Sequence, residues 1–177
     1  MSKKIAVIPE QCSGCRMCEM VCAMKHFGVN NPKKSAVRVL ITYPHPVVRM
    51  PIVCSQCKKP PCEDVCPVNA ISRINGIVKL DTGTCISCFR CIEACPFGAI
   101  YAHDDSQFPI KCDMCDGAPE CVVHCPKGAL RLIPEHALGE SKRLGNVLGY
   151  AHMKEIEFVE KGETKVIQYA EIGEEQL

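Results

Sequence analysis

The 177-residue sequence has no tryptophan, and phenylalanine and tyrosine together make up only 5% of it. Large aromatic side chains therefore cannot fill the interior, and something else must do so. The net charge of +1 excludes the electrostatic footprint of a nucleic-acid binder. No run approaches the roughly 18–20 apolar residues of a membrane span, and the first residues lack the apolar stretch of a secretory signal. We therefore expect a soluble cytoplasmic protein whose thiols stay reduced.

Cysteine, in contrast, is abundant. The 16 cysteines form four quartets with none left over, and each quartet opens with C-x2-C and closes with C-x3-C. The quartets are Cys12, Cys15, Cys18, Cys22; Cys54, Cys57, Cys62, Cys66; Cys85, Cys88, Cys91, Cys95; and Cys112, Cys115, Cys121, Cys125. Quartets one and three match the C-x2-C-x2-C-x3-C run of bacterial iron–sulfur proteins. Because the pattern occurs four times, it predicts iron–sulfur clusters bound by thiolates.

Two other uses of cysteine fit the sequence less well. Disulfides suit exported proteins, and the sequence shows no export signal. A zinc-stabilised interaction scaffold is the alternative from a different functional class, but structural zinc sites usually separate their two C-x2-C pairs by about 12–20 residues. Each quartet instead spans only 11 to 14 residues. Iron–sulfur ligation is therefore the favoured interpretation.

The spacing also predicts that the quartets work in pairs. The fourth cysteine lies about one helical turn beyond the third, so it points away from its own quartet and reaches a neighbouring cluster. Only 18 residues separate quartets two and three, which suits a short hairpin and favours pairing two with three and one with four. Pairing one with two and three with four remains open on spacing alone.

Short elements are predicted between the quartets, because 13 prolines and 12 glycines interrupt the chain. We expect two-stranded ribbons and short helices around clusters, which is the ferredoxin plan, with folding coupled to cluster insertion. The second quartet's helix is expected to end at Asn69, and a hairpin is expected around Asn75-Gly76. The predicted strands lie at 5–8, in two runs within 36–53 broken at Pro44 and Pro46, and at 71–80, 99–102, 108–111, 129–133, 155–160 and 164–169; the predicted longer helices lie at 17–27 and 135–151.

Together, the four quartets resemble the four-cluster, sixteen-cysteine electron-transfer subunits of the molybdenum and tungsten oxidoreductases. The resemblance covers residues 5–133 and is carried by CSGCRMCEMVC, CSQCKKPPCEDVCP, CISCFRCIEACP, and CDMC followed by CVVHCP. Such subunits accompany formate dehydrogenases, sulfur-compound reductases and hydrogenlyases. The short form without a membrane anchor is similar to the small subunits of tungsten aldehyde oxidoreductases and tungsten benzoyl-CoA reductases.

This resemblance implies the fold and the ligands. The fold class is α+β, with two bacterial-ferredoxin-like 2[4Fe–4S] modules, one nested in the other. The pattern of residues 134–177, beyond the resemblance, adds a C-terminal helix and hairpin extension. The implied domains are residues 1–35 with 105–133, residues 36–104, and residues 134–177. The implied ligand sets are Cys12, Cys15, Cys18 with Cys125; Cys112, Cys115, Cys121 with Cys22; Cys54, Cys57, Cys62 with Cys95; and Cys85, Cys88, Cys91 with Cys66. Some relatives lose a cysteine of the third quartet and hold a three-iron cluster, but Cys88 and Cys91 are both present, so we expect four [4Fe–4S] clusters.

One departure from the pattern is Ala23, which stands where the other three quartets have proline after the closing cysteine. Since proline is not a ligand, we expect little effect. Cations near the cysteines are expected to raise cluster potentials or to serve as solubility charges. They are Arg16, Lys58, Lys59, Arg90, Lys111 and Lys127. Histidine ligands are not needed, because every quartet is complete.

No nucleotide-binding loop, haem motif or nucleophile–base pair is visible, so we expect an electron-transfer subunit with no catalytic site of its own. It would relay single electrons between a large catalytic subunit, of the tungsten-bis-pterin type, and a second redox partner or ferredoxin. A formate dehydrogenase or hydrogenase complex is the alternative, and a free-standing polyferredoxin is a third possibility. The extension 134–177 is expected to dock on the catalytic subunit, burying Ile156, Phe158, Val166 and Ile167; the alternative is a solvated cap.

Overall fold

The computed structural model describes residues 3–42, 48–135 and 137, and the backbone of residues 156–160 and 163–167. Two compact units divide the chain, Met1–Glu135 and His136–Leu177. The described residues form four α-helices, three single-turn 3-10 helices and five separate two-stranded antiparallel ribbons. None of the helices in this described part has the length and apolarity needed to cross a bilayer.

The elements alternate along the first unit. Its strands are β1 Lys3–Val7, β2 Arg38–Ile41, β3 Arg49–Ile52, β4 Ile71–Ile74, β5 Ile77–Leu80, β6 Ile100–Tyr101, β7 Ile110–Lys111 and β8 Leu130–Pro134. Its helices are α1 Met17–Phe27, α2 Pro61–Asp64, α3 Arg90–Ala94 and α4 Glu120–Val123. Each ribbon joins strands that follow one another in sequence except β1 with β8, where Val7 faces Leu130 and Lys3 faces Pro134. This long-range pairing brings the first and fourth quartets together.

Helix α1 has the predicted bounds. Its C-cap Gly28 adopts the left-handed conformation, with φ of 65°, and donates its N–H to the Met24 carbonyl, which is the expected glycine stop. Because no proline follows Cys22, the helix continues through the fully buried Ala23 and is 11 residues long. The other three helices have four or five residues and end before the Cys-Pro dipeptides.

The expected end of the second quartet's helix at Asn69 is wrong, since α2 ends at Asp64. The residue before a proline is pushed out of the helical region, and Cys66 precedes Pro67. The hairpin at Asn75-Gly76 is confirmed, with φ of 51° and 82° at its two turn residues, and β4 pairs with β5 across it. Strands β6 and β7 are two residues each, shorter than predicted.

Small apolar side chains and cysteines form the core in place of aromatic residues. One buried group contains Ile5, Val37 and Leu130 together with Cys18, Cys22 and Cys121. The other contains Ile71, Val78 and Ile100 together with Cys62 and Cys91. The cysteines therefore lie where the interior residues of an ordinary domain would lie, as the scarcity of aromatic residues predicts.

The second unit contains one described ribbon, β9 Ile156–Glu160 paired antiparallel with β10 Glu163–Ile167. The predicted C-terminal hairpin is confirmed, although β9 and β10 each begin one residue away from the predicted position and β10 ends two residues earlier than predicted. The predicted helix at 135–151 lies outside the described residues.

Candidate metal centres

Four cavities of similar size lie in the first unit, and each is lined by four cysteines. Cavity 1 is lined by Cys12, Cys15, Cys18 and Cys125; cavity 2 by Cys22, Cys112, Cys115 and Cys121; cavity 3 by Cys54, Cys57, Cys62 and Cys95; and cavity 4 by Cys66, Cys85, Cys88 and Cys91. Their volumes are about 20, 10, 20 and 20 Å³, in that order. All sixteen predicted site residues therefore line a cavity, in the same four groups as the ligand sets that the resemblance implies.

Each cavity takes three cysteines from one quartet and the closing cysteine of another. Helix α1 shows the reason, because Cys18 and Cys22 lie one turn apart on it and line cavities 1 and 2. A helix that carries two cysteines thus places one sulfur in each of two adjacent cavities. The short helices α2, α3 and α4 carry their third cysteines in the same way and end just before the closing ones.

The opening C-x2-C segments share one backbone feature. The residue before the second cysteine is left-handed in every quartet, with φ of 76°, 48°, 55° and 55° at Gly14, Gln56, Ser87 and Met114. A backbone that turns successive N–H groups toward one point forms a concavity that binds anions, including iron–sulfur clusters. The sequence gives no sign of this at glutamine, serine or methionine, residues that rarely adopt the conformation.

Three of the four closing cysteines, Cys22, Cys66 and Cys95, accept backbone hydrogen bonds on their sulfur atoms. The Ala70 N–H donates to Cys66 Sγ at 3.2 Å, and the Ala99 N–H donates to Cys95 Sγ at 3.4 Å. Burial works against ionisation of Cys66, but the N–H groups of the turn that follows it hold the pKa of its thiol below the ordinary value. Such bonds stabilise a thiolate and raise the potential of the cluster it binds.

Cys22 also accepts a backbone hydrogen bond on its sulfur, but the donor is distant in sequence. Because α1 continues past Ala23, no turn follows Cys22, and the donor is the N–H of Ala36, 3.3 Å from Cys22 Sγ and 14 residues along the chain. A distant backbone group therefore supplies the hydrogen bond that a turn supplies at Cys66 and Cys95.

The donor chemistry of the cavities fits an iron–sulfur cluster. Burial raises the pKa of Cys18 and Cys121 to about 12 and that of Cys62 to about 11, and sulfurs of the same cavity add to each shift. Four confined thiols of this kind become thiolates at neutral pH only beside a concentrated positive charge, which bound metal supplies. Four sulfurs converge in each cavity, with the sequence spacing of bacterial iron–sulfur proteins, and this arrangement fits a cluster.

Lys111 lies between cavities 2 and 3. Its Nζ is 3.7 Å from Cys54 Sγ, which lines cavity 3, and donates to the carbonyl of Cys112, which lines cavity 2, at 3.1 Å. It also donates to the Val78 carbonyl. A positive charge fixed at this point stabilises the more negative, reduced form of a cluster.

Other contacts fix the order of the cavities. Helix α1 joins cavities 1 and 2, and α2 and α3 each join cavities 3 and 4 through their own third cysteine and the closing cysteine that follows. Cavities 2 and 3 are neighbours, because the Lys111 ammonium contacts both Cys54 Sγ of cavity 3 and the carbonyl of Cys112, which lines cavity 2. The cavities therefore follow one another in the order 1, 2, 3, 4.

Of the other five predicted cations, three line a cysteine cavity and two lie on the surface. Arg16 and Lys127 line cavity 1, and Arg90 lines cavity 4. Lys58 instead pairs with Glu135 at 3.5 Å and is largely exposed. The structure places Lys59 on the surface as well, lining none of the four cavities.

Two side chains near the cavities were missed by sequence reasoning. Buried Gln56 donates from Nε2 to the Cys112 carbonyl at 3.2 Å and accepts from the Val78 N–H at 2.7 Å, so it ties the second quartet to the fourth. His26 lies beside cavity 2, with its Nε2 3.5 Å from Cys115 Sγ and 3.5 Å from Asp113 Oδ1. Neither residue belongs to a spacing pattern, so only the tertiary structure identifies them.

Comparisons with known proteins point to the same chemistry. The model of the 4Fe-4S dicluster domain family matches residues 46–135. The polyferredoxin-like subunit of aliphatic sulfonate oxidoreductase from Pyrococcus furiosus is 37% identical over 123 residues, which cover 68% of this chain and 70% of that protein. Hydrogenase-4 component A from Escherichia coli is 31% identical over 180 residues, which cover 78% of this chain and 85% of that protein.

Further matches differ in how much of the other protein this chain covers. The active site complex BamBC of benzoyl coenzyme A reductase contains a chain that is 28% identical, with a TM-score of 0.44, and the match covers 84% of this chain and 90% of that chain. Two longer oxidoreductase relatives from Escherichia coli are spanned by this chain over only 23% and 24% of their lengths.

Proposed function

This chain belongs to the 4Fe-4S dicluster domain family, and we propose that it holds four [4Fe–4S] clusters, one in each of cavities 1 to 4. The observation that carries the proposal is the convergence of four cysteines in each of four cavities. The chain is an iron–sulfur electron-transfer subunit of an oxidoreductase complex. When bound, the clusters supply one-electron redox chemistry, and the protein supplies their positions and potentials.

The ligands of each cluster are proposed to be the four cysteines of its cavity. The helical spacing of Cys18 and Cys22 supports this crossed arrangement, because one turn separates residues that line different cavities. The N–H groups of Ala36, Ala70 and Ala99 hold the sulfurs of the closing cysteines in orientation. The left-handed residues before the second cysteines shape the backbone around each cavity.

The nested domain arrangement remains part of the proposal. An outer module of residues 1–35 and 105–133 would enclose an inner module of residues 36–104. The pairing of β1 with β8 supports it, since it joins the two ends of the outer module. The inner module has its own ribbon, β4 with β5, and its own group of buried residues around Ile71 and Val78. Residues 134–177 would form the docking extension.

The proposed partners are a large catalytic subunit of the tungsten-bis-pterin type and a second redox protein, with the complex in the cytoplasm. The motif resemblance to small subunits of tungsten enzymes supports the first partner. The Pyrococcus furiosus relative supports membership in a complex, because it is named as a subunit of an oxidoreductase. We propose no catalytic site in this chain, and the substrate chemistry would belong to the large subunit.

Anaerobic purification with metal analysis tests the cluster proposal. We expect about sixteen irons per chain, four for each [4Fe–4S] cluster, and a broad visible absorption that bleaches on reduction. A colourless protein with about four zinc ions would instead identify the zinc scaffold.

The variant Cys22→Ser tests the crossed ligands. It should damage the cluster bound by Cys112, Cys115 and Cys121, whereas Cys12→Ser, the matched control, should damage the cluster of cavity 1. Electron paramagnetic resonance of the reduced proteins separates the two outcomes. Loss of the same signal in both variants would place Cys12 and Cys22 on one cluster and overturn the crossing.

A hydrogenase complex is a second candidate, because Hydrogenase-4 component A is similar over most of both chains. Native co-purification with metal analysis of the co-eluting large subunit decides between the candidates. Tungsten would support the leading proposal, and nickel would support the second. A small species that elutes alone would indicate a free-standing polyferredoxin.

A further inference from the structure

We infer that the surface around Cys15 is the docking site for an acidic one-electron carrier protein. We call this the basic surface, and it consists of Cys15 and the side chains of Arg16, Arg49, Lys127 and Arg131. The inference rests on the proposed function, since it assumes a cluster in cavity 1. It adds the point at which electrons enter or leave the chain and the chemistry of the protein that exchanges them.

Exposure of the cysteines selects the two ends of the cavity order. All sixteen cysteines lie in the described part of the chain, and Cys15 and Cys88 are the two that are exposed. Cys15 lines cavity 1 and Cys88 lines cavity 4, the first and last cavities in the order. An exposed ligand brings its cluster close to the surface, so an electron can pass to a bound carrier at these two points.

Charge distinguishes the end at Cys15. Arg16 and Lys127 are exposed and line cavity 1 itself. The Arg49 side chain packs against the Cys12–Cys15 loop, with its Cδ 2.9 Å from the position that a Cβ on Gly14 would occupy. Arg131 is anchored by its Nη2, which donates to Gln11 Oε1 at 3.2 Å, and by its Nε, which donates to the Gly128 carbonyl at 3.2 Å.

Little negative charge offsets these four cations. Within the described segment 9–16, Glu10 is the one acidic residue. At the other end, exposed Arg90 is accompanied by exposed Asp64, Asp81 and Glu93, so the two signs are mixed. Ile86, next to Cys85, is 60% exposed there. The end at Cys15 is therefore the one whose charge favours an acidic partner.

A basic surface over an exposed ligand suits a transient partner of opposite charge. Complementary charge speeds encounter and orients the partner, and salt screens both effects. In the step itself, one electron leaves the reduced carrier, which is oxidised by one unit, and reduces the cluster of cavity 1 by one unit. No covalent bond forms or breaks and no proton is required.

Stopped-flow reduction of the iron-loaded chain by a reduced, acidic bacterial ferredoxin tests the inference. The variant is Arg49→Glu with Arg131→Glu, because neither residue is adjacent to a cysteine in sequence. The matched control, Lys33→Glu with Lys59→Glu, changes the net charge equally at exposed lysines outside the basic surface. We expect the rate constant of the variant to fall by about tenfold or more at low salt, with the control unchanged. The wild-type rate should also fall between about 0.01 and 0.1 M salt, as the Debye length shrinks from about 30 to 10 Å.

Several results would overturn the inference. An unchanged rate in the variant, or an equal loss in the control, would show that the basic surface does not guide the carrier. Loss of the co-purifying large subunit from the variant would show that this surface binds the catalytic partner instead. Iron content and cluster potentials of each protein are measured first. A chain without iron contradicts the proposed function itself, whereas a fully loaded chain with unaltered rates contradicts the docking site alone.

Discussion

Replacement of Lys111 by methionine removes a positive charge from the junction of cavities 2 and 3 while keeping a long side chain. The Lys111 ammonium is 3.7 Å from Cys54 Sγ and bonds two backbone carbonyls, so its charge is held in one place. It stabilises the reduced cluster more than the oxidised one, because reduction adds negative charge. Lys111→Met should therefore lower the reduction potential of the cluster in cavity 3.

The distance sets the size of the effect. At about 4 Å, two unit charges interact by about 4 kcal/mol for an effective dielectric constant of about 20. The added electron is spread over a cluster that extends beyond the sulfur, which roughly doubles the mean distance and leaves about 2 kcal/mol. One-electron couples change by about 59 mV per 1.4 kcal/mol, so the potential should fall by about 80 mV. The cluster of cavity 2 should shift in the same direction.

A redox titration of the anaerobic, iron-loaded protein, followed by electron paramagnetic resonance, measures this change. Lys111→Arg is the matched control, because it keeps the charge and should shift the potential much less. Iron content shows whether each variant still binds its clusters, and Lys111→Gln replaces methionine if Lys111→Met loses iron. A potential that stays within about 15 mV of wild type in the neutral variants, equivalent to about 0.4 kcal/mol, would refute the electrostatic role of Lys111.

Three further predictions concern stability. Gln56→Ala should destabilise the loaded protein by about 1–3 kcal/mol in chemical denaturation, because it leaves the buried Val78 N–H without its acceptor; an unchanged midpoint would show that this bond is dispensable. Gly14→Val should cost at least about 1–2 kcal/mol, since φ is 76° and the new side chain meets Arg49, whereas Gly83→Ala, at a position without positive φ, should be nearly neutral. Removal of iron with a chelator should abolish the near-ultraviolet and far-ultraviolet circular dichroism of the first unit, because the cysteines form much of its core. A native-like spectrum of the iron-free chain would contradict the coupling of folding to cluster insertion.

Local sequence signals and the repeated cysteine spacing predicted much of the fold. Helix α1 was predictable because Gly28 ends it, and the hairpin of β4 and β5 because Asn75-Gly76 suits a two-residue turn. The cysteine groups were predictable because a helical turn separates Cys18 from Cys22 and gives the crossing a physical cause. Pairing of quartet one with quartet four needed the resemblance, since spacing alone left two arrangements open.

What the sequence could not predict depends on distant partners. Gln56 resembles any polar residue of a loop, and its partner Cys112 is 56 residues away. The donor to Cys22 Sγ is a backbone N–H of Ala36, and backbone donors carry no residue signature. The end of α2 was misjudged, because Pro67 disfavours the helical conformation at Cys66 and the helix already ends at Asp64.

The turns that follow Cys66 and Cys95 have a consequence for how such proteins can be recombined. Each is a contiguous segment, Cys-Pro-x-Asn-Ala or Cys-Pro-x-Gly-Ala, that supplies its own N–H to the cysteine sulfur. Because the donor N–H and the cysteine lie within one five-residue segment, transfer of that segment to another chain should preserve the hydrogen bond. Transfer of the segment around Cys22 alone would lose its hydrogen bond, because the donor N–H of Ala36 lies beyond the end of α1. Insertions between residues 28 and 35 should therefore disturb cavity 2. Insertions in the loops after Ala70 or Ala99 should leave the hydrogen bonds to Cys66 and Cys95 intact.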